Sequence, residues 1–325
     1  MSFPMALRVV ASRAEARDVM TFDLRGSPGT ELPPFEPGAH LELELPGEGE
    51  GARPLVRHYS LCNAPAARDR YVIAVALDAA SRGGSRALHA RLRAGDLVQV
   101  RSLANHFPLA ADASRHRFVA GGIGITPIRS MIHRCEEMAL DWSLLYVTRS
   151  RVRTAFLDEL QALGDRVSFH FADEHAGRRA DVAQALAVEE AGEHVYCCGP
   201  GALMRSVAAA TGARAPGSVH FEWFALDAPP AAQAIGDRPF EIALRRSGLR
   251  LRVEAGTSIL ETLEAHGLGV PFSCREGLCR TCETPLCAGE AEHRDLVLSD
   301  VERGAQASLM VCVSRARSDV LELDL

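Results

Sequence analysis

The chain has no lysine; all 36 of its basic residues are arginine. That bias is compositional, and no function follows from it. Positive charge is also in deficit, because 42 acidic residues leave a net charge of −6 at pH 7. Nucleic-acid binders show the opposite balance, so no such partner is expected. No uninterrupted apolar run is long enough to cross a bilayer. Residues 1–13 lack the basic stretch, apolar run and cleavage site of a secretory leader, so a cytoplasmic protein with no membrane association is expected. In that compartment the nine cysteines are not expected to form disulfides. Four of them crowd between positions 274 and 287, which points to metal chemistry instead.

With 325 residues the chain exceeds what one hydrophobic core usually organises, so two or three domains are expected. Leu7–Ser12, Met20–Leu24, His40–Leu45, Tyr59–Leu61, Tyr71–Ala76 and Leu97–Arg101 are short extended runs divided by Gly and Pro clusters. They predict a small antiparallel β-barrel, interrupted by one helix at Ser85–Leu92. From about Arg115 the rhythm becomes strand, helix, strand. Strands are predicted at Arg117–Ala120, Ser143–Thr148, Val167–Phe171, His194–Cys198 and Val219–Phe221. Helices are predicted at Pro127–Met138, Thr154–Leu163, Asp181–Ala187 and Ala202–Thr211. This alternation builds an α/β domain with a parallel sheet. Residues 227–238 are rich in Ala and Pro and read as a linker. Beyond it, Phe240–Leu244 and Leu249–Val253 resemble a hairpin. A helix follows, with Ser258 and Glu261 as a capping box and Gly267 at its stop. The expected division is 1–112, 113–226, the linker 227–238, and 239–325.

Cys274, Cys279 and Cys282 have the spacing C-x4-C-x2-C, and Cys312 lies thirty positions on. That is the ligand pattern of a plant-type 2Fe–2S cluster. Two irons need four thiolates, and one loop can supply three only if its backbone wraps the cluster; Gly277 supplies the freedom for that wrap. The competing assignment is structural zinc, which favours paired C-x2-C knuckles, and only one is present. Cys287 falls outside the pattern and is expected to be a buried structural thiol, as are Cys62, Cys135 and Cys197.

Two motifs suit a flavin. In Arg57-His58-Tyr59-Ser60-Leu61, placed at the start of a strand, Arg57 can hold a phosphate, Tyr59 can lie along the ring system and Ser60 can hydrogen-bond to it. In Ser81-Arg82-Gly83-Gly84-Ser85, glycines before a helix expose backbone N–H groups to a phosphate. A third motif, Gly121-Gly122-Ile123-Gly124-Ile125-Thr126-Pro127, joins a strand to a helix, with Thr126 as expected N-cap and Pro127 as first helical residue. Its glycines let a pyrophosphate approach the positive helix end, although it is not a strict G-x-G-x-x-G. Cys198-Gly199-Pro200 ends a strand at the edge where open α/β sheets bind ligands, which puts Cys198 where a nicotinamide would meet the flavin. FMN and FAD are not separable on these residues.

Taken in order, these motifs resemble the phthalate dioxygenase reductase family, over essentially the whole chain. Tyr71–Val75, Asn105–Leu109 and Val313–Ala316 share the likeness. The resemblance implies a flavin β-barrel, a nucleotide-binding α/β domain and a β-grasp ferredoxin domain in one oxidoreductase. It implies FMN held by Arg57, Tyr59, Ser60, Ala74, Val75, Gly83, Gly84 and Ser85, with Phe224 packing on the ring. It implies NADH as substrate at Gly121, Gly122, Gly124, Thr126, Cys198, Gly199 and Pro200, and Ser60, Thr126 and Cys198 as the residues nearest the chemistry. Electrons would pass from NADH through FMN and the 2Fe–2S cluster to a separate Rieske oxygenase, most naturally a phthalate-type dioxygenase. The alternatives are an O-demethylase such as vanillate demethylase, and a ferredoxin-like carrier without NADH activity. A monomer is expected. A self-contained monooxygenase is not, because no Rieske C-x-H pair or 2-His-1-carboxylate set stands out. Two features depart from the family pattern. Arg280 stands between cluster ligands where a small residue is usual, and Thr148-Arg149-Ser150-Arg151 carries Arg where an acidic residue often holds the ribose of NADH.

Overall fold

Alternation decides the first sheet. In β1 (Met5–Ala16), Met5, Leu7 and Val9 are buried while Ala6, Arg8 and Val10 face out, the two-residue period of a strand with one covered face. The computed structural model describes residues 3–47, 54–78, 83–224, 237–272 and 274–325. Ser81, Arg82 and linker residues 227–236 lie outside them. Two compact units are present, divided at Phe224 and Ala225.

The first unit begins with β1, β2 (Val19–Arg25), β3 (Ala39–Leu45), β4 (Leu55–Ser60), β5 (Tyr71–Ala76), α1 (Gly84–Arg91) and β6 (Leu97–Asn105). The strands pair antiparallel in the order β4-β3-β6-β1-β2-β5. A single bridge from Leu61 to Ile73 brings the two edges together, so the sheet curls around Leu7, Phe22, Leu41, Leu43 and Ile73. The R-x-Y-S-L motif lies at the end of β4 rather than its start, because pairing with β3 begins earlier, at Leu55.

The same unit continues with β7 (Arg115–Gly121), α2 (Ile125–Glu137), β8 (Asp141–Thr148), α3 (Leu157–Gln161), β9 (Val167–Phe171), α4 (Val182–Ala185), β10 (Glu193–Cys198), α5 (Gly201–Thr211) and β11 (Val219–Glu222). Its five strands are all parallel, ordered β11-β10-β7-β8-β9. The order reverses between β7 and β10, which marks the crevice for a ligand. Ile128, Met131, Ile132 and Cys135 of α2 are buried against the sheet. Phe107, Ala74 and Cys62 of the barrel join that same core, so barrel and sheet share apolar surface instead of merely adjoining.

The second unit contains β12 (Phe240–Leu244), β13 (Arg250–Val253), α6 (Ile259–Ala265), β14 (Glu283–Ala288), β15 (Ala291–Glu292), α7 (Asp300–Ala305), β16 (Ser308–Met310), β17 (Arg315–Ala316) and β18 (Val320–Leu323). The hairpin β12–β13 is antiparallel, β18 runs parallel to β12, and the order β13-β12-β18-β14-β16 is a β-grasp sheet with α6 packed on it. The capping box of α6 is present at Ser258 and Glu261, and Gly267 follows its end with φ 73°. A second box, Ser299 with Glu302, opens α7. Such caps contribute about 1 kcal/mol each. Cys287 is exposed, contrary to expectation. It lies two residues after exposed Pro285, on the outward face of β14.

Candidate functional site

The two flavin motifs meet. A Cβ added at Gly84 would lie 2.7 Å from Cγ and 2.9 Å from Nε of Arg57, so the Arg57 side chain lies on the helix start that only glycine leaves open. Gly83 precedes α1 with φ 94°, and no side chain caps the helix. A helix start with a guanidinium beside it suits an anion. Ser85 Oγ accepts from the N–H of Asp78 at 3.3 Å. Ala74 and Val75 are buried in β5, and Tyr59 is half-buried at the end of β4, where burial pushes its phenol above the ordinary value. These residues fit a flavin phosphate and ring.

The nucleotide turn departs from expectation in detail. Gly122–Gly124 forms a 3₁₀ turn, and α2 then starts at Ile125 with Gly124 as its cap. Thr126 is therefore inside the helix, not its N-cap, and Pro127 comes two residues after the first helical position. The Thr126 hydroxyl donates to the Ile123 carbonyl at 2.9 Å, which closes the turn. Gly122 has φ 54°. The glycines are required by close approach. A Cβ at Gly124 would fall on the Cys198 carbonyl, and one at Gly121 would lie 2.6 Å from Cδ of Pro200 and 2.7 Å from Cδ2 of Leu203. Gly199 in turn faces Gly121, with its own added Cβ 2.9 Å from the Gly121 Cα. The ends of β7 and β10, and with them the two nucleotide motifs, are brought into backbone contact.

Cys198 is fully buried, and its register partner on β11 is Glu222. Burial, with the Glu222 carboxylate beside it, pushes the Cys198 thiol well up. The Glu222 carboxyl accepts from the Ser60 hydroxyl at 3.4 Å, and burial raises it to about 8. Ser60, Cys198 and Glu222 thus form one polar cluster joining the barrel to the sheet. Glu222 was not among the residues expected at the site. The available signal was its position in His220-Phe221-Glu222-Trp223-Phe224, an acid closing the strand beside Cys198. Phe224, expected to pack on the flavin ring, is 41% exposed.

In the second unit Cys279, Cys282 and Cys312 are buried and Cys274 is half-buried. The Cys274 sulfur accepts the N–H groups of Glu276 and Leu278, both at 3.3 Å. The neighbouring thiols hold Cys274 and Cys282 below their ordinary range, and Cys279 and Cys312 are pushed up in turn. Among the described residues, no three His, Cys, Asp or Glu side chains gather about a point that would hold a single ion. Gly277 has φ 71°, and a Cβ there would lie 2.7 Å from Cγ2 of Val313 and 2.9 Å from the Asp295 Cα. The loop and its donors fit a 2Fe–2S cluster.

Arg280, also left-handed with φ 57°, is not an isolated charge beside the loop. Its Nη2 donates to both carboxylate oxygens of Glu302, at 2.7 and 2.8 Å, and to the Val297 carbonyl at 2.9 Å. Glu283 lies 3.5 Å from Nη1. Partial burial of Glu302 opposes its ionisation, but the bonds from Arg280 and Ser299 outweigh it and hold the carboxyl at about 2.

Residues 242–317 match the 2Fe-2S iron-sulfur cluster binding domain, and residues 118–209 match the oxidoreductase NAD-binding domain. The chain is 45% identical over 322 residues to phenoxybenzoate dioxygenase subunit beta of Ectopseudomonas oleovorans, covering 99% of this chain and 98% of that one. It is 42% identical over 324 residues to phthalate dioxygenase reductase of Burkholderia cepacia, covering 99% and 97%. A solved structure of phthalate dioxygenase reductase, described as a modular structure for electron transfer from pyridine nucleotides to [2Fe–2S], shares 41% identity. It matches with a TM-score of 0.71, over 99% of this chain and 98% of that one.

Proposed function

The chain belongs to the phthalate dioxygenase reductase family, and on that footing we propose that it is the NADH-dependent reductase of a phthalate-type aromatic-ring dioxygenase. FMN would be carried on residues 1–112, NADH on 113–226 and the cluster on 239–325, with 227–238 as the linker. FMN supplies the conversion of a two-electron donor into single electrons, and the cluster supplies the one-electron outlet.

What the protein contributes is position. Arg57 and the open start of α1 would hold the flavin phosphate. The turn Gly121–Gly124 and the start of α2 would admit the pyrophosphate, with Gly121 and Gly124 letting the turn pack against Pro200 and Cys198. Ser60, Thr126 and Cys198 would border the nicotinamide–flavin contact. Cys198, held as a neutral thiol by burial, would add bulk and polarity there without charge. The four thiolates would hold the cluster, with N–H groups directed at Cys274 sulfur. No residue need act as nucleophile, because the bonds made and broken belong to the nicotinamide and the flavin.

The observation that carries the reading is the convergence of the β7 and β10 motifs with Ser60 of the barrel in one unit. No helix among the described residues is long and apolar enough to cross a membrane; we place the protein in the cytoplasm, as a monomer. Purified protein should be red-brown, with about one flavin and two irons per chain. Anaerobic titration with NADH should bleach both chromophores, and acid should release FMN. Release of FAD, or a visible spectrum indifferent to NADH, would overturn the proposal.

A further inference from the structure

The β7 turn and Cys198 at the end of β10 take up two adjacent strand ends. The far half of a dinucleotide lying across the carboxyl edge of the sheet then reaches the ends of β8 and β9. Those ends are side by side, with Thr148 opposite Phe171. Each runs into an anchored turn. On the β8 side, Thr148 and Thr154 share a hydroxyl hydrogen bond of 2.7 Å, and Thr154 donates to the Ser150 carbonyl at 2.9 Å. On the β9 side, His175 Nδ1 lies 2.9 Å from the Phe171 carbonyl, and the N–H of Gly177 donates to the Ala172 carbonyl at 2.7 Å. A further bond, from the Asp173 N–H to the Arg149 carbonyl at 3.0 Å, ties the two turns together.

Across this seam Arg151 is committed twice. Its Nε donates to Glu174 Oε1 at 2.5 Å and its Nη2 to Oε2 at 3.2 Å, a two-pronged pair. Its Cζ lies 4.3 Å from the centre of the Phe171 ring. A planar guanidinium is the side chain best suited to a phosphate. This one already has a carboxylate on its fork and an aromatic ring at its face. A ribose 2′-hydroxyl arriving here would find a carboxylate able to accept its hydrogen bond, as an acidic residue does for NADH in open sheets. A 2′-phosphate would instead meet that carboxylate as a like charge and have to displace it from Arg151.

Resting on the NADH reading above, we propose that Glu174 is a specificity-determining residue, which selects NADH over NADPH by occupying Arg151. Arg151 is thereby kept from serving as a 2′-phosphate ligand. A purely structural pair at this exposed position would contribute little to stability and would not distinguish the two nucleotides.

The test is calorimetric binding of 2′,5′-ADP and 5′-AMP to the holoenzyme, in wild type, Glu174→Gln and Glu174→Gln/Arg151→Ala. In Glu174→Gln the affinity for 2′,5′-ADP should rise while that for 5′-AMP falls. The ratio of the two should shift by at least about tenfold, the scale of one charge-assisted contact. The double variant should lose the gain for 2′,5′-ADP. The kcat/KM for NADPH should follow the same order. An unchanged 2′,5′-ADP affinity in Glu174→Gln, or a gain that survives removal of Arg151, overturns the proposal while leaving NADH reduction of the flavin intact. A wild-type flavin that neither nucleotide reduces would instead sink the reading on which the proposal rests.

Discussion

At the scale of single residues, Cys198 and Glu222 carry separable expectations. Cys198 has no room to spare, since its carbonyl bounds Gly124 and its thiol is fully enclosed. Cys198→Ala should slow flavin reduction by NADH in stopped flow while leaving flavin content unchanged. An unaltered hydride-transfer rate would make it a packing residue. Glu222 is expected to act on stability. Its carboxyl is raised by burial to about 8, against about 4.3 for an unfolded Glu. Between those values the folded chain holds a proton that the unfolded chain has released. Stability is therefore greatest below the lower value and falls as pH rises to about 8. Glu222→Gln keeps the partner for Ser60 and removes the titration. Its Tm advantage over wild type should be small at pH 5 and grow by at least about 2 °C by pH 9. A difference that does not grow with pH would show that the carboxyl ionises normally.

At the scale of elements, the start of α2 matters most. Because a Cβ at Gly124 would fall on the Cys198 carbonyl, Gly124→Ala must move the turn away from the end of β10. The displaced nucleotide should cost about 10²-fold in NADH-dependent flavin reduction, the usual penalty for misplacement near 1 Å. Iron content and the cluster spectrum should stay at wild-type level, because the thiols are on the second unit; loss of the cluster would point to general misfolding. This helix also shows what sequence could reveal. Its apolar stripe, from Ile128 to Cys135, was legible because a 3.6-residue period is local. The same holds for the capping box at Ser258 and for C-x4-C-x2-C. Its first turn was not legible. Thr126 and Pro127 have ideal terminal chemistry, but contact between the β7 and β10 turns set the boundary earlier. Cys287 and Glu222 were obscured for the same reason. The first depends on which face of β14 is covered and the second on which strand lies beside β10. Pairing between segments distant in sequence leaves no periodic trace in either one.

At the scale of the whole molecule, charge is unevenly shared. Residues 239–325 contain 14 Asp and Glu against 10 Arg, a difference of −4 within a total of −6. Near the cluster loop charges of both signs are paired, Arg275 with Glu264 and Arg280 with Glu302 and Glu283, so the excess negative charge belongs to the domain as a whole. A domain of net negative charge speeds encounter with a basic partner surface, and the effect decays with the Debye length, about 10 Å at 0.1 M salt and 3 Å at 1 M. Electron transfer to the oxygenase should therefore slow steeply as salt is raised over that range. Turnover of NADH with a small neutral quinone should hardly change, because no extended charged surface has to dock. Ferricyanide is a poorer control, being an anion that salt would itself affect. If the oxygenase and quinone reactions respond equally to salt, the domain's negative charge has no steering role and docking depends on short-range contact around the cluster loop.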